Sequence, residues 1–278
     1  MSLRLFFGSE EVFYNSSVYS GGEVSVKIVD LINCNFMKGS IYATLHSSND
    51  VMELLLVTDA IRREQCNAEI KLVMPYVPYA RQDRVCAVGE ALSIKVFCDL
   101  INSQGYSQVE VHDPHSDVLV ALLNNCKVNS QSDLFINMHE VIRAAKTVLV
   151  SPDAGATKKI FELAKRYGFS RVVRADKSRD IDTKAITGTV IYSEPIGDKD
   201  FLIVDDISDY GGSFIPLAKA LRPLTTGKII LYVTHCIMPE GLDKFRGVID
   251  EFYTAHPFNK KYKPYTNLLA VSDAPIPV

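Results

Sequence analysis

The sequence predicts an α/β protein of two domains, each a mainly parallel sheet flanked by helices. Three observations predict it. Short apolar runs alternate with amphipathic helical stretches through both halves of the chain, the pattern of βαβ units. Nearly every cluster of charge falls just after one of those runs, where ligands bind in open parallel sheets. The 278 residues are also enough for two domains of roughly 140 residues each. The division is set at 1–140 and 141–278, with the join near 136–146.

In the first half, 3–8, 24–29 and 40–45 read as strands, with a Tyr19-Ser20-Gly21-Gly22-Glu23 loop between the first two. Asn49 and Asp50 are placed to cap a long helix whose apolar positions Val51, Leu54, Leu55 and Ile61 keep near-helical spacing. Ile70 to Met74 reads as a buried strand closed by Pro75 and Pro78, and Ala80-Arg81-Gln82-Asp83-Arg84 follows it. A Gly89 hinge, a helix over 92–103 and a strand over 108–111 lead to His112-Asp113-Pro114-His115. In the second half a strand over 147–150 ends in Ser151-Pro152-Asp153-Ala154-Gly155, and a helix over 158–167 follows. A strand over 171–174 leads to Asp176-Lys177-Ser178-Arg179, and a hairpin is expected over 183–193. A final strand spans 228–234.

The most informative stretch is Phe201 to Phe214, FLIVDDISDYGGSF. Its apolar run reads as a strand buried on both faces. Two adjacent carboxylates, Asp205 and Asp206, sit at its end. Asp209, Tyr210, Gly211, Gly212 and Ser213 then form a loop feeding a helix, which aims backbone N–H groups at an anion. A plain strand–turn–helix with solvated acids is the alternative. Carboxylates accept hydrogen bonds from vicinal hydroxyls while N–H groups and a serine hydroxyl hold phosphate oxygens, so the stretch suits a ribose phosphate.

Composition narrows the class. The chain is 47% hydrophobic with a mean hydropathy of +0.07, as a packed globular protein requires. A formal charge of −3 lacks the basic face of a nucleic-acid binder. The six cysteines form no CxxC, so reduced thiols in a cytoplasmic protein are expected in place of disulfides or zinc. Neither a signal peptide nor an apolar run of membrane-spanning length is read.

On these residues the chain resembles the ribose-phosphate diphosphokinases (PRPP synthetases), whose domains have the type I phosphoribosyltransferase fold. The DDISDYGGS loop resembles their ribose-phosphate loop, and the other matches follow in order: NDVMELLLVTDAIRR over 49–63, MPYVPYARQDR over 74–84, Ser93 and Lys95, Asp113-x-His115, SPD-x-G over 151–155, Lys177-x-Arg179, and Thr234-His235. Together they span about residues 19–256. The resemblance implies transfer of the β,γ-diphosphoryl group of ATP to the anomeric hydroxyl of ribose 5-phosphate, giving PRPP and AMP for nucleotide biosynthesis. It implies Lys177 and Arg179 as the catalytic pair, and Tyr19, Glu23, Arg81, Gln82, Asp83 and His115 as ATP contacts. Asp205, Asp206, Asp209, Tyr210, Gly211, Gly212 and Ser213 would hold ribose phosphate. His115 and Asp153 would serve Mg²⁺, and Asp113 would orient His115 or touch the metal. A homo-oligomer, dimer or hexamer, is also implied.

Four departures from the family pattern stand out. The segment before Tyr19 is short, the adenine-loop Asp is Gly21, and 85–89 (Val-Cys-Ala-Val-Gly) is neutral where the family carries Lys and Arg. The phosphate loop has Tyr210 where the family has Thr. With the phenol replacing that hydroxyl, ribose 5-phosphate remains the acceptor. With the loop opened for a substituted 5-phosphate, ADP-ribose becomes the acceptor, giving its 1-diphosphate for NAD metabolism. A catalytically silent regulatory homologue and a simple phosphoribosyltransferase are the remaining alternatives, and the retained Lys177, Arg179, His115 and Asp153 speak against the first.

Overall fold

The computed structural model describes residues 2–29, 37–139, 141–179 and 186–270, without the side chains of 177–179 and 186–188. The chain divides into two compact units, Met1–Ser130 and Gln131–Val278. The division falls earlier than the sequence-based join because Phe135, Met138 and Ile142 pack with Leu149, Ile160 and Leu163 of the second unit.

The first unit begins with strands β1 (Leu3–Phe7) and β2 (Glu10–Val12), then the hairpin β3 (Tyr14–Val18) and β4 (Val24–Ile28). Strand β5 (Lys38–Ala43), helix α1 (Ser48–Glu64), β6 (Glu69–Val73), α2 (Ser93–Asn102), β7 (Gln108–His112), α3 (Asp117–Leu122) and β8 (Cys126–Asn129) follow. The main sheet has the order β2-β1-β5-β6-β7-β8. Its β5 to β8 pairs are parallel, while β1 runs antiparallel to both neighbours. Helix α1 is capped by Ser47, whose hydroxyl accepts from Asp50 N–H while the Asp50 carboxylate accepts from Ser47 N–H at 2.8 Å. The expected Asn49–Asp50 cap therefore shifts: Asp50 is the third residue of a capping box, which satisfies two otherwise orphaned donors.

Most buried apolar side chains of this sheet gather in one core with α1, α2 and α3. Ile94, Phe97, Cys98 and Ile101 supply the buried stripe of α2 at helical spacing. The opposite face is mixed: Phe6 and Tyr42 meet edge to face there and Val73 is buried, beside a polar cluster centred on Glu110. Glu110 on β7 accepts from Lys71 at 2.6 Å, Lys127 at 3.0 Å and Asn129 at 2.8 Å. Burial alone would raise its pKa, but these cations and His112 outweigh burial and pull it down to about 2.

In the second unit, α4 (Gln131–Leu134) precedes β9 (Thr147–Ser151), α5 (Thr157–Tyr167), β10 (Val172–Arg179), β11 (Ile186–Ile191), β12 (Asp200–Ser208), α6 (Phe214–Leu221), β13 (Ile229–Cys236) and β14 (Glu251–Pro257). The order is β11-β10-β9-β12-β13-β14, parallel except for β10–β11. Every residue of β13 is buried, as expected of a strand covered on both faces. Two cores flank this sheet, one with α6 and one with α5. The chain starts at β9 in the middle, moves out to β10 and β11, then returns to β12 on the other side of β9. The reversal makes the C-terminal ends of β9 and β12 the switch point, where open α/β sheets place their ligands.

Two expectations change in detail. The strand read over 171–174 runs on through Arg179, so Lys177 and Arg179 lie on β10 and pair with Thr189 and Ile186 of β11. The hairpin expected over 183–193 has β11 as its described arm, and 180–185 lies outside the described residues. Among the described residues, no helix is long and apolar enough to cross a membrane. Cys66, Cys86, Cys98, Cys126 and Cys236 are free thiols.

Candidate functional site

In the first unit the site is built at the adjacent C-terminal ends of β6 and β7. Met74 N–H donates to Glu110 O at 2.8 Å and His112 N–H to Pro75 O at 3.1 Å, so the sheet ladder carries on into both loops. Residues 77–82 then fold into tight turns, with Ala80 N–H on Val77 O at 3.3 Å and Gln82 N–H on Tyr79 O at 2.9 Å. These turns bury Asp83 and leave Arg81 and Gln82 exposed. Asp83 accepts from Arg84 Nε at 3.0 Å. That bond holds the Asp83 carboxyl below its usual range, with Ser116 and His115 adding to the effect and partial burial opposing it. The structure thus brings the 81–84 segment together with His115, which is exposed, while Asp113 is buried.

Tyr19 and Glu23 are exposed at the tip of the β3–β4 hairpin, closed by Tyr19 N–H on Glu23 O at 2.9 Å. The ring of Tyr19 is 63% exposed, as a stacking surface must be. The neutral 85–89 loop is arranged around Glu90, whose carboxylate accepts from Cys86 N–H at 2.7 Å and Ala87 N–H at 3.1 Å.

In the second unit Asp153 follows β9. Its Oδ1 accepts from Ala156 N–H at 3.1 Å, and its carbonyl accepts from Ser151 Oγ at 2.8 Å and Thr157 Oγ1 at 3.2 Å. The turn therefore has a fixed carboxylate beside the start of α5. Asp205 and Asp206 lie on β12, where the Asp205 carboxylate accepts from Asp206 N–H at 2.9 Å. Gln131, almost fully buried, donates to Asp205 O at 2.7 Å and to Thr234 Oγ1 at 3.3 Å. It ties the acid pair to β13, and no sequence motif marked it.

The loop after β12 presents its donors from the loop backbone and not from the helix that follows. Phe214 and Ile215 N–H both donate to Gly211 O, at 3.1 and 3.4 Å, and Pro216 has no N–H. The first turn of α6 is therefore satisfied from within. The donors left for an anion are those of the loop itself, Gly211 to Ser213. The Ser213 hydroxyl makes no capping bond to α6. Gly211 is required here: its φ is +70°, and a Cβ would sit 2.4 Å from Phe245 Cζ. Tyr210 is 56% exposed, so its phenol does not fill the loop.

Strain marks the same places. Tyr79, Asp113 and Met238 have left-handed φ of 64°, 40° and 40°, Tyr79 within the 77–82 turns and the other two just beyond the ends of β7 and β13, while Asn125 and Tyr265 share the conformation elsewhere. Non-glycine residues are held this way only where the surroundings over-determine them, often at ligand sites. The backbones of Lys177 and Arg179 sit on β10, and their side chains are outside the described part.

A family profile for the N-terminal domain of ribose phosphate pyrophosphokinase matches residues 11–105. A ribose-phosphate pyrophosphokinase of Thermosipho africanus is 30% identical over 229 residues, covering 80% of this chain and 70% of the relative. One from Mycoplasma pneumoniae is 30% identical over 258 residues, covering 91% and 75%. The crystal structure of phosphoribosylpyrophosphate synthetase from Mycobacterium smegmatis superposes with a TM-score of 0.71 over 88% of this chain and 80% of that one, at 21% identity, and so shares the fold. By sequence and fold, the chain belongs to the ribose-phosphate pyrophosphokinase family.

Proposed function

We propose that this chain transfers the β,γ-diphosphoryl group of ATP to the anomeric hydroxyl of ribose 5-phosphate. The anomeric oxygen forms a bond to the β-phosphorus, and the bond from that phosphorus to the α,β-bridging oxygen breaks. AMP leaves with the electron pair, and the hydroxyl proton passes to solvent. The observation that carries this reading is the end of β12, where an acid pair is followed by a loop of backbone donors beside the Asp153 turn. The names of the family relatives support it.

Each group then has a task. Asp205 and Asp206 accept hydrogen bonds from the ribose hydroxyls, and the Gly211 to Ser213 donors hold the 5-phosphate. Tyr19 stacks on adenine and Glu23 accepts from its amine. Arg81, Gln82 and Asp83 face the nucleotide, Arg81 through the polyphosphate. Lys177 and Arg179 stabilise the charge that builds on the transferring group, the largest contribution a protein makes to phosphoryl transfer. Carboxylate and imidazole donors suit a hard divalent ion: His115 in the first unit and Asp153 in the second are each available to Mg²⁺ or its waters, with polyphosphate and water supplying most ligands. When bound, Mg²⁺ neutralises charge on the phosphoryl oxygens.

A second reading is favoured by the exposed ring of Tyr210. A ribose 5-phosphate bridged to adenosine, ADP-ribose, has the same anomeric hydroxyl and would lay its base on that ring, worth about 1 kcal/mol beyond the area buried. Following AMP release from ATP with each acceptor separates the two readings. The Lys177→Ala chain should lose turnover with only a modest loss of ATP affinity. Undiminished turnover would remove Lys177 from the mechanism, and no AMP with either acceptor would end the diphosphokinase reading.

A further inference from the structure

The acceptor loop has a neighbour that no motif singled out. Lys244, in the short turn Asp243–Phe245, places its Nζ 5.7 Å from the centroid of the Tyr210 ring, within cation–π range. Surface lysines are ordinarily solvated and mobile, but this one is held. Its side chain is 27% exposed, and its ammonium donates to Glu240 Oε2 at 2.9 Å. The segment around it is tied to the loop at three points. Ile237 N–H donates to Ser208 O at 2.9 Å, and the Ser208 hydroxyl donates to Met238 Sδ at 3.1 Å. The Phe245 ring, fully buried, lies directly under Gly211. The end of β12, the loop and this segment are therefore held against one another, with the ammonium beside the Tyr210 ring.

We propose that Lys244 is a specificity-determining residue of the acceptor subsite, where its ammonium reads the negative charge on the phosphoryl group at the acceptor's 5-oxygen. The inference rests on reading 209–213 as the phosphate-holding loop. Backbone N–H groups accept any anion of the right shape, so by themselves they rank acceptors weakly. A cation beside them raises affinity with the charge of the bound group, because charge-assisted hydrogen bonds are about twice as strong as neutral ones. An ammonium has three donors, and Glu240 takes one. The ligand chemistry is an anionic phosphoryl on ribose, present either as a terminal monophosphate or as a diphosphate bridge to a nucleoside. In the second case Tyr210, with Lys244 over one face, offers its other face to the base.

The test uses the full chain, wild type and the variants Lys244→Ala, Lys244→Arg and Lys244→Glu. AMP release is followed at saturating ATP with ribose 5-phosphate, ADP-ribose and unphosphorylated ribose. On the phosphorylated acceptor that the wild type uses, Lys244→Ala should raise the acceptor KM about tenfold and Lys244→Glu further, while kcat and the ATP KM change by less than about twofold. Lys244→Arg should restore the acceptor KM to within about threefold, since it returns the charge. The acceptor KM of the wild type should rise with salt, and that rise should flatten in Lys244→Ala, which loss of packing alone would not produce. Unphosphorylated ribose should be insensitive to the substitution. An acceptor KM unchanged in both the Ala and Glu variants overturns the inference and leaves the diphosphokinase reading standing. A wild-type chain that releases no AMP with any acceptor overturns both.

Discussion

Replacing Gly211 by Ala tests whether the loop conformation seen here is the one that binds the acceptor. Two costs add at this position. A left-handed φ of +70° costs a residue with a Cβ about 1 kcal/mol. The new methyl would also lie 2.4 Å from Cζ and 2.8 Å from Cε1 of Phe245, a ring that is fully buried and cannot swing into solvent. Overpacking of that kind costs about 1–3 kcal/mol. The sum, about 2–4 kcal/mol, corresponds to a fall in melting temperature of roughly 5–15 °C for a unit of this size. If the loop relaxes instead of the core, the cost appears as a raised acceptor KM. Thermal denaturation and acceptor titration of Gly211→Ala, measured together, capture either outcome. Gly212→Ala is the stability control, because a Cβ there meets nothing within 4 Å; it should shift melting by under about 2 °C. A Gly211→Ala chain that melts with the wild type and keeps its acceptor KM would refute the reasoning.

Two further outcomes follow from the first unit. Glu110 has its pKa lowered from 4.5 to about 2, so its stabilising contribution is full above the ordinary carboxylate range and is lost as pH falls through about 2. Melting curves of wild type and Glu110→Gln between pH 5 and pH 2 should therefore converge on acidification, with the variant about 1–2 kcal/mol less stable at neutral pH; parallel curves would show that Glu110 is not the group responsible. Ser47→Ala removes one half of the α1 capping box and should cost about 1 kcal/mol in urea denaturation, whereas Asn49→Ala, at the position first read as a cap, should cost less.

Much of the fold was legible because its signals are local. The short unbroken apolar run of β12 reads as a doubly covered strand, and the acids and glycines after it as a strand-end loop. Which face of a sheet is covered is a different matter. The alternation of Val109, Glu110, Val111 and His112 is the mark of a one-sided strand, yet β7 reads by composition like its buried neighbours. What the sequence could not show was reciprocity between distant residues. Gln131 matters because its amide reaches both Asp205 O and Thr234, across two strands that only the sheet order brings together. Lys244 matters because the Phe245 ring beside it is wedged beneath Gly211. The Gly211 carbonyl takes the first donors of α6, so of the two parts of the expected loop-and-helix end it is the loop that keeps its donors outward.

The two units also differ in how they would come apart. The second sheet is sandwiched, so opening either helical layer leaves its strands still buried on the other side. The first sheet has one main apolar core beneath it and the ion cluster around Glu110 above. Lifting α1 or α2 exposes the strands from the face that carries most of their buried apolar side chains. Removal of α1 and α2 would thus uncover Leu72 and Val111 directly, whereas removal of α6 alone would leave Leu202 and Val204 packed under α5.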